Sequence, residues 1–234
     1  MATHLHRAIE QIKKNILGQG ALVEDSLRRA LTAIERDDEA LAGEAIDRDF
    51  EIDLKEVDIE EECLKALALY QPVAGDLLFI IATIKINATL ERVGDLAVNI
   101  AERAIMLSGR ERPTVPFDMP QFADKARRMV THSLDALVRA DTELARVVLA
   151  ADDEIDDMDS EYTTKLKAVL AEHPEAAEPI LHLVQLSRFV ERIADHATSI
   201  AEDVIYMVEG EIPRHSLKRA VAEAMSINET AVEQ

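Results

Sequence analysis

Glu91, Asp95 and Glu102 stand at relative positions 0, 4 and 11 in this chain, and Glu191, Asp195 and Glu202 repeat that spacing one hundred residues later. Those intervals return to one face of an α-helix. Two further acidic runs accompany them: Asp49, Asp53 and Glu56, then Asp152, Asp156 and Asp159, each set again sharing one helical face. Carboxylates gathered in this way can stay wet at a surface, pair with arginines, or hold multivalent cations. The acids continue an apolar stripe, Leu77, Ile81, Ile84 and Ala88 running into Glu91, Asp95, Val98 and Glu102, which predicts a core-facing position. An ionised carboxylate moved out of water without a partner costs on the order of tens of kcal/mol in the Born limit.

Of the arginines nearby, Arg188 lies on the stripe while Arg92, Arg103 and Arg192 lie off it, and one arginine cannot neutralise five acids. Cations are the remaining partner. All-oxygen ligands suit hard ions such as Mg, Mn, Ca or ferric iron and disfavour cysteine-type zinc sites. One D/E-x-x-x-D is a weak signal. Two in each of two repeats, at matching places, is a specific one.

The elements that must position these residues are long helices. Apolar residues at helical spacing predict helices over about 4–36, 39–70, 74–107, 121–139, 142–172 and 176–208, with Asp37-Asp38 and Asp141 as cap candidates. Gln71-Pro72 and His173-Pro174 break the chain, and Gly109 and Gly210 close helices. A last amphipathic segment, about 215–231, carries Leu217, Val221 and Met225 on one face that could dock internally or on a partner. Long helix, turn, long helix, Pro turn, long helix is performed twice, and Pro72 parallels Pro174. Short connections imply antiparallel neighbours. The fold expected is all-α: two tandem antiparallel three-helix bundles, residues 1–112 and 113–212, joined through the Pro-rich stretch 110–120, with a C-terminal helical tail, 213–234.

Composition narrows the function. The chain is 48% hydrophobic yet 3% aromatic, the balance of Ala-, Leu-, Ile- and Val-filled helices. A formal charge of −20 argues against nucleic acid and against adsorption to an anionic membrane. The small basic cluster Lys125, Arg127 and Arg128 reads as solvated helix surface. One cysteine, Cys63, excludes an internal disulfide and fits a reducing compartment. The N-terminus lacks a signal-peptide pattern and no apolar window is long enough to span a bilayer, so a soluble, cytoplasmic protein is expected.

Gln71-Pro-Val-Ala-Gly-Asp76-Leu, followed by Leu90-Glu-Arg-Val-Gly-Asp95 through Asn99-Ile-Ala-Glu102, resembles the PhoU family, phosphate-signalling proteins associated with bacterial phosphate transport. The resemblance extends over roughly residues 5–210. It implies two three-helix bundles whose motifs can bind multinuclear metal clusters, iron favoured, with Mg, Mn, Ca or Zn as alternatives. The matching positions are Asp49, Asp53, Glu91 and Asp95, then Asp152, Asp156, Glu191 and Asp195, with Asn99, Glu102 and Glu202 extending the motif segments. The Asp-His-Ala of the family is kept at Asp195-His196-Ala197, but Leu96 replaces His in the first copy and Ser199 stands where the first copy has Asn99. The two sites are therefore not expected to be identical. His196 reads as a packing residue.

The resemblance further implies a regulator that links the ATPase subunit of a phosphate ABC transporter to a sensor histidine kinase, restrains the phosphate-starvation response when phosphate is plentiful, and forms a homodimer. The sequence has no Gly-rich phosphate loop, nucleophile elbow or HExxH. The rival class is a di-iron carboxylate enzyme, which would use Glu-x-x-His on two helices. None of the seven histidines has Glu three residues before it. An accessory protein of another phosphate carrier is the remaining alternative.

Overall fold

The computed structural model describes residues 2–111 and 113–210. The predicted tail helix and the 213–234 segment lie outside the described residues. The helices are α1 (Ala2–Arg36), α2 (Glu39–Asp47), α3 (Asp49–Tyr70), α4 (Ala74–Leu107), α5 (Met119–Arg139), α6 (Thr142–Ala150), α7 (Asp152–Glu172) and α8 (Ala177–Glu209), with a 3-10 turn at Pro174–Ala176. Among the described residues there is no strand.

Local chemistry accounts for most boundaries. Asp38 accepts a hydrogen bond from the Leu41 amide at 3.0 Å and Asp141 from the Leu144 amide at 3.0 Å, so both predicted caps hold. Asp118 caps α5 by accepting from the Gln121 amide, and Pro120 sits in the first turn, where its missing N–H costs nothing. Gln71, held away from helical geometry by Pro72, ends α3 in the left-handed region at φ 47°. Gly210 ends α8 at φ 73°.

Two expectations are corrected. The second and fifth predicted helices are each interrupted, at Arg48 and at Ala151, with no Pro or Gly to mark the place. Both residues stay right-handed, but ψ flattens to −20° and −11°, and a new helix starts one residue later. The acidic motifs therefore open helices: Asp49 and Glu51 lie in the first turn of α3, and Asp152, Asp153 and Glu154 in that of α7. The positive end of the helix dipole favours carboxylates there, by about 0.3–1 kcal/mol each.

In the first repeat α4 packs on α1, α2 and α3; in the second α8 packs on α5, α6 and α7. The two repeats join mainly through α4 against α8, and through α1 against α5, into one continuous core. Small residues allow the close approach of the two central helices' surroundings: Ala97, Ala101 and Ala104 on α4, and Ala194, Ala197 and Ala201 on α8, are buried. Gly20 of α1 has the same use against α5, because a Cβ there would fall 2.9 Å from Leu134 Cδ1.

Candidate metal centres

In the first repeat Asp49, Asp53 and Glu56 of α3 face Glu91 and Asp95 of α4, and these five carboxylates repel one another. Burial, followed by that repulsion, raises the proton affinity of Asp49, Glu56, Glu91 and Asp95 above the usual carboxylate range. The second repeat builds the same arrangement from Asp152, Asp156 and Asp159 of α7 with Glu191 and Asp195 of α8. Burial and the charges of Asp156, Asp195 and Asp153 push Asp152 up to about 6, and Glu191 and Asp195 shift in the same direction.

The clusters are not sealed inside the bundles, as the apolar stripe leading into them suggested. Asp49, Glu91, Asp152 and Glu191 are half-buried, while Asp53, Asp95, Asp156 and Asp195 are exposed. The core face of α4 runs instead through Ile86, Leu90, Val93, Ala97, Ile100 and Ala104. The stripe ending in Glu91 and Asp95 is a half-buried flank. The flank looked like core because α4 is covered by several helices, so its apolar arc is wider than that of a surface helix.

One atom in each cluster is singular. Asp49 Oδ1 and Asp152 Oδ1, at matching positions, are buried and have no hydrogen-bond partner. Such an acceptor costs about 1–3 kcal/mol, and more when charged. A hard cation in each cluster would satisfy its oxygen, so the donor sets fit a metal. Among the described residues no three acidic, histidine or cysteine side chains close around a common point.

The helices are held at the seam by matched polar contacts. Asn87 Nδ2 donates to the Glu56 backbone carbonyl at 2.8 Å, and Ser187, at the equivalent place, donates its hydroxyl to the Asp159 carboxylate. Gly94 lets α3 approach, since a Cβ there would lie 3.2 Å from Ile52 Cδ1 and 3.7 Å from Asp49 Oδ1. Its counterpart is the buried Ala194. A glycine in mid-helix was the signal of this close approach; Asn87 and Ser187 carried none.

Asn99, Glu102 and Glu202 stand farther along the helices. Asn99 Nδ2 donates to the Asp95 backbone carbonyl at 2.8 Å, Glu102 is exposed, and Glu202 is half-buried. None of the three contributes to the repulsion within the clusters. His196 is half-buried at the contact of α4 and α8, where burial, Arg192 and Arg92 hold its proton affinity below the ordinary histidine range. Cys63 is buried, and its thiol is pushed up to about 12, which leaves it unreactive.

Comparison with known proteins agrees with this architecture. The family model described as the PhoU domain matches residues 16–104 and again 119–204. The phosphate-specific transport system accessory protein PhoU homolog of Aquifex aeolicus is 40% identical, the alignment covering 90% of this chain and 96% of that one. The protein of the same description from Pseudomonas putida is 39% identical, over 92% of this chain and 85% of the relative. The crystal structure of PhoU from Pseudomonas aeruginosa superposes with a TM-score of 0.85 at 35% identity, covering 88% of this chain and 99% of that one. The phosphate transport system regulatory protein PhoU from Streptococcus pneumoniae, 24% identical with a TM-score of 0.82, shares the fold over 89% of this chain and 98% of its own. With both repeats matched and relatives at this identity along most of its length, the chain belongs to the PhoU family.

Proposed function

We propose that the protein is a non-enzymatic regulator of phosphate uptake. It works in the cytoplasm as a homodimer, docks on the ATPase subunit of a phosphate ABC transporter and on a sensor histidine kinase, and restrains the starvation response when phosphate is plentiful. Support for the transport role comes from relatives named as accessory proteins of phosphate-specific transport systems. No helix among the described residues is long and apolar enough to cross a membrane, which agrees with a part that docks on a membrane transporter rather than forming it.

Each carboxylate cluster holds multivalent metal in this reading, iron first. The observation that carries it is the pair of partnerless buried oxygens, Asp49 Oδ1 and Asp152 Oδ1, each among five acids. Asp49, Asp53, Glu91 and Asp95 hold the first metal group, and Asp152, Asp156, Glu191 and Asp195 the second. Asn99, Glu102 and Glu202 stand beyond these sets as additional oxygen donors. The bound metal supplies positive charge; the protein's residues tie α3 to α4, and α7 to α8, across the seams.

Two measurements test this reading. Protein purified without chelator should carry tightly bound multivalent metal by elemental analysis; a metal-free preparation with unchanged stability in strong chelator refutes the metal centres. Deleting the gene should switch on a phosphate-starvation reporter in high phosphate, and a reporter that stays silent refutes the regulatory role.

A further inference from the structure

Between the two acidic clusters the packed pair α4 and α8 carries exposed arginines. The Lys85–Asp203 ion pair, Nζ to Oδ1 at 2.9 Å, together with the action of Arg92 on His196, makes α4 and α8 antiparallel. Arg92 lies two turns beyond Lys85, and His196 two turns before Asp203, so the two meet across the seam; both Arg92 and Arg192 act electrostatically on His196. Arg103 lies three turns beyond Arg92 on α4, and Arg188 one turn before Arg192 on α8. Arg92 and Arg192 each follow an acid of the metal motif by one residue, about 100° around the helix, at Glu91-Arg92 and Glu191-Arg192. Across the pair the order is therefore acid, base, acid.

Arg92 acts electrostatically on Glu91, Arg188 on Glu191 and Arg192 on Asp195, but none of the three closes an ion pair with its acid. The group Arg28, Arg29 and Arg48 is neutralised by Asp25 and Glu44, and Arg127 and Arg128 by Asp124. Arg92, Arg188 and Arg192 are exposed, and among the described residues they make no salt bridge. Arg103 has its Nε buried without an acceptor. In a chain of net charge −20, Arg92, Arg188 and Arg192 place three exposed positive charges without salt bridges on two adjacent helices. From Lys85 to Arg103 the row is about 27 Å long. An exposed, elongated row suits a line of carboxylates better than a single small anion, which needs donors converging in a concavity.

We propose that the α4–α8 arginine seam is the surface on which an acidic segment of the transporter's ATPase subunit docks. This rests on the transporter reading above. The test uses the full chain and the purified ATPase subunit from the same genome, with binding followed by calorimetry across a salt series. Arg92→Glu with Arg192→Glu should weaken binding tenfold or more and flatten its salt dependence. Arg92→Gln with Arg192→Gln, which adds no acid beside the clusters, should weaken it in the same direction. Arg127→Gln with Arg128→Gln should stay within twofold of the parent.

Parent-like binding by both seam variants overturns the docking surface and leaves the transporter reading standing. A parent chain that does not bind the subunit at all overturns both. Inorganic phosphate provides the last arm: a melting shift produced by phosphate and lost in the seam variants, with subunit binding unaffected, overturns the protein-docking assignment in favour of a small-anion site.

Discussion

Lys85 Nζ and Asp203 Oδ1 lie 2.9 Å apart and join the first repeat to the second through an uneven ion pair: the Asp203 side chain is 5% exposed and that of Lys85 46%. Lys85 also lies 5.1 Å from the centre of the Tyr206 ring. The matching pair, by the hundred-residue offset, would be Arg103 with Gln185, which cannot form the same bridge. The register of α4 on α8 is therefore pinned at one end.

The unevenness predicts an asymmetric response to mutation. Lys85→Met leaves a buried carboxylate without its partner and should destabilise by about 2–3 kcal/mol. Asp203→Asn leaves a lysine that reaches water and should cost about 1 kcal/mol. Denaturant unfolding of both variants checks the order; equal losses would contradict it.

The acidic clusters predict an unusual pH response of metal-free protein. Folding raises the proton affinity of Asp49, Glu91, Asp95, Asp152, Glu191 and Asp195. The native state then binds more protons than the unfolded state, so these groups lower stability as pH rises. For Asp152 the window runs from its ordinary 3.8 to about 6. In chelator at pH 7, Asp152→Asn should stabilise by about 1 kcal/mol after allowance for solvent screening, and the gain should vanish near pH 4. Thermal melts at the two pH values measure it.

Metal should reverse that sign. With metal bound, Asp49→Asn and Asp152→Asn remove a ligand, and each should lower metal content in its own repeat while the other keeps its share. Chelator should lower the melting temperature of the parent by several degrees and that of the doubly substituted protein by little. Elemental analysis alongside the melts gives both readings.

Gly94 offers a steric test of the seam. Ala194 shows that a methyl group fits the corresponding place in the second repeat. Gly94→Ala, with a Cβ 3.2 Å from Ile52 Cδ1, should be near neutral, because crowding offsets the gain in helix propensity. Gly94→Val should cost about 1–3 kcal/mol and reduce metal in the first repeat only, by moving α3 off α4. Unfolding and metal content per chain report the two effects separately.

Much of this protein is written locally. Helical spacing, the caps Asp38 and Asp141 and the Pro turns place the helices, because each is decided by neighbours a few residues away. The carboxylate motifs are legible for the same reason, since their intervals match the helical repeat, and the duplication makes them specific. Only packing decided the rest. The breaks at Arg48 and Ala151 have no Pro or Gly to announce them. The depth of the acids depended on how many helices surround α4, which its own apolar pattern does not encode. Arg92 and Arg192 act on Glu91 and Asp195 beside them, and the antiparallel contact of α4 with α8 also brings both to His196 along a shared seam. Spacing within a helix determines which residues share a face, but only the partner helix determines what that face meets.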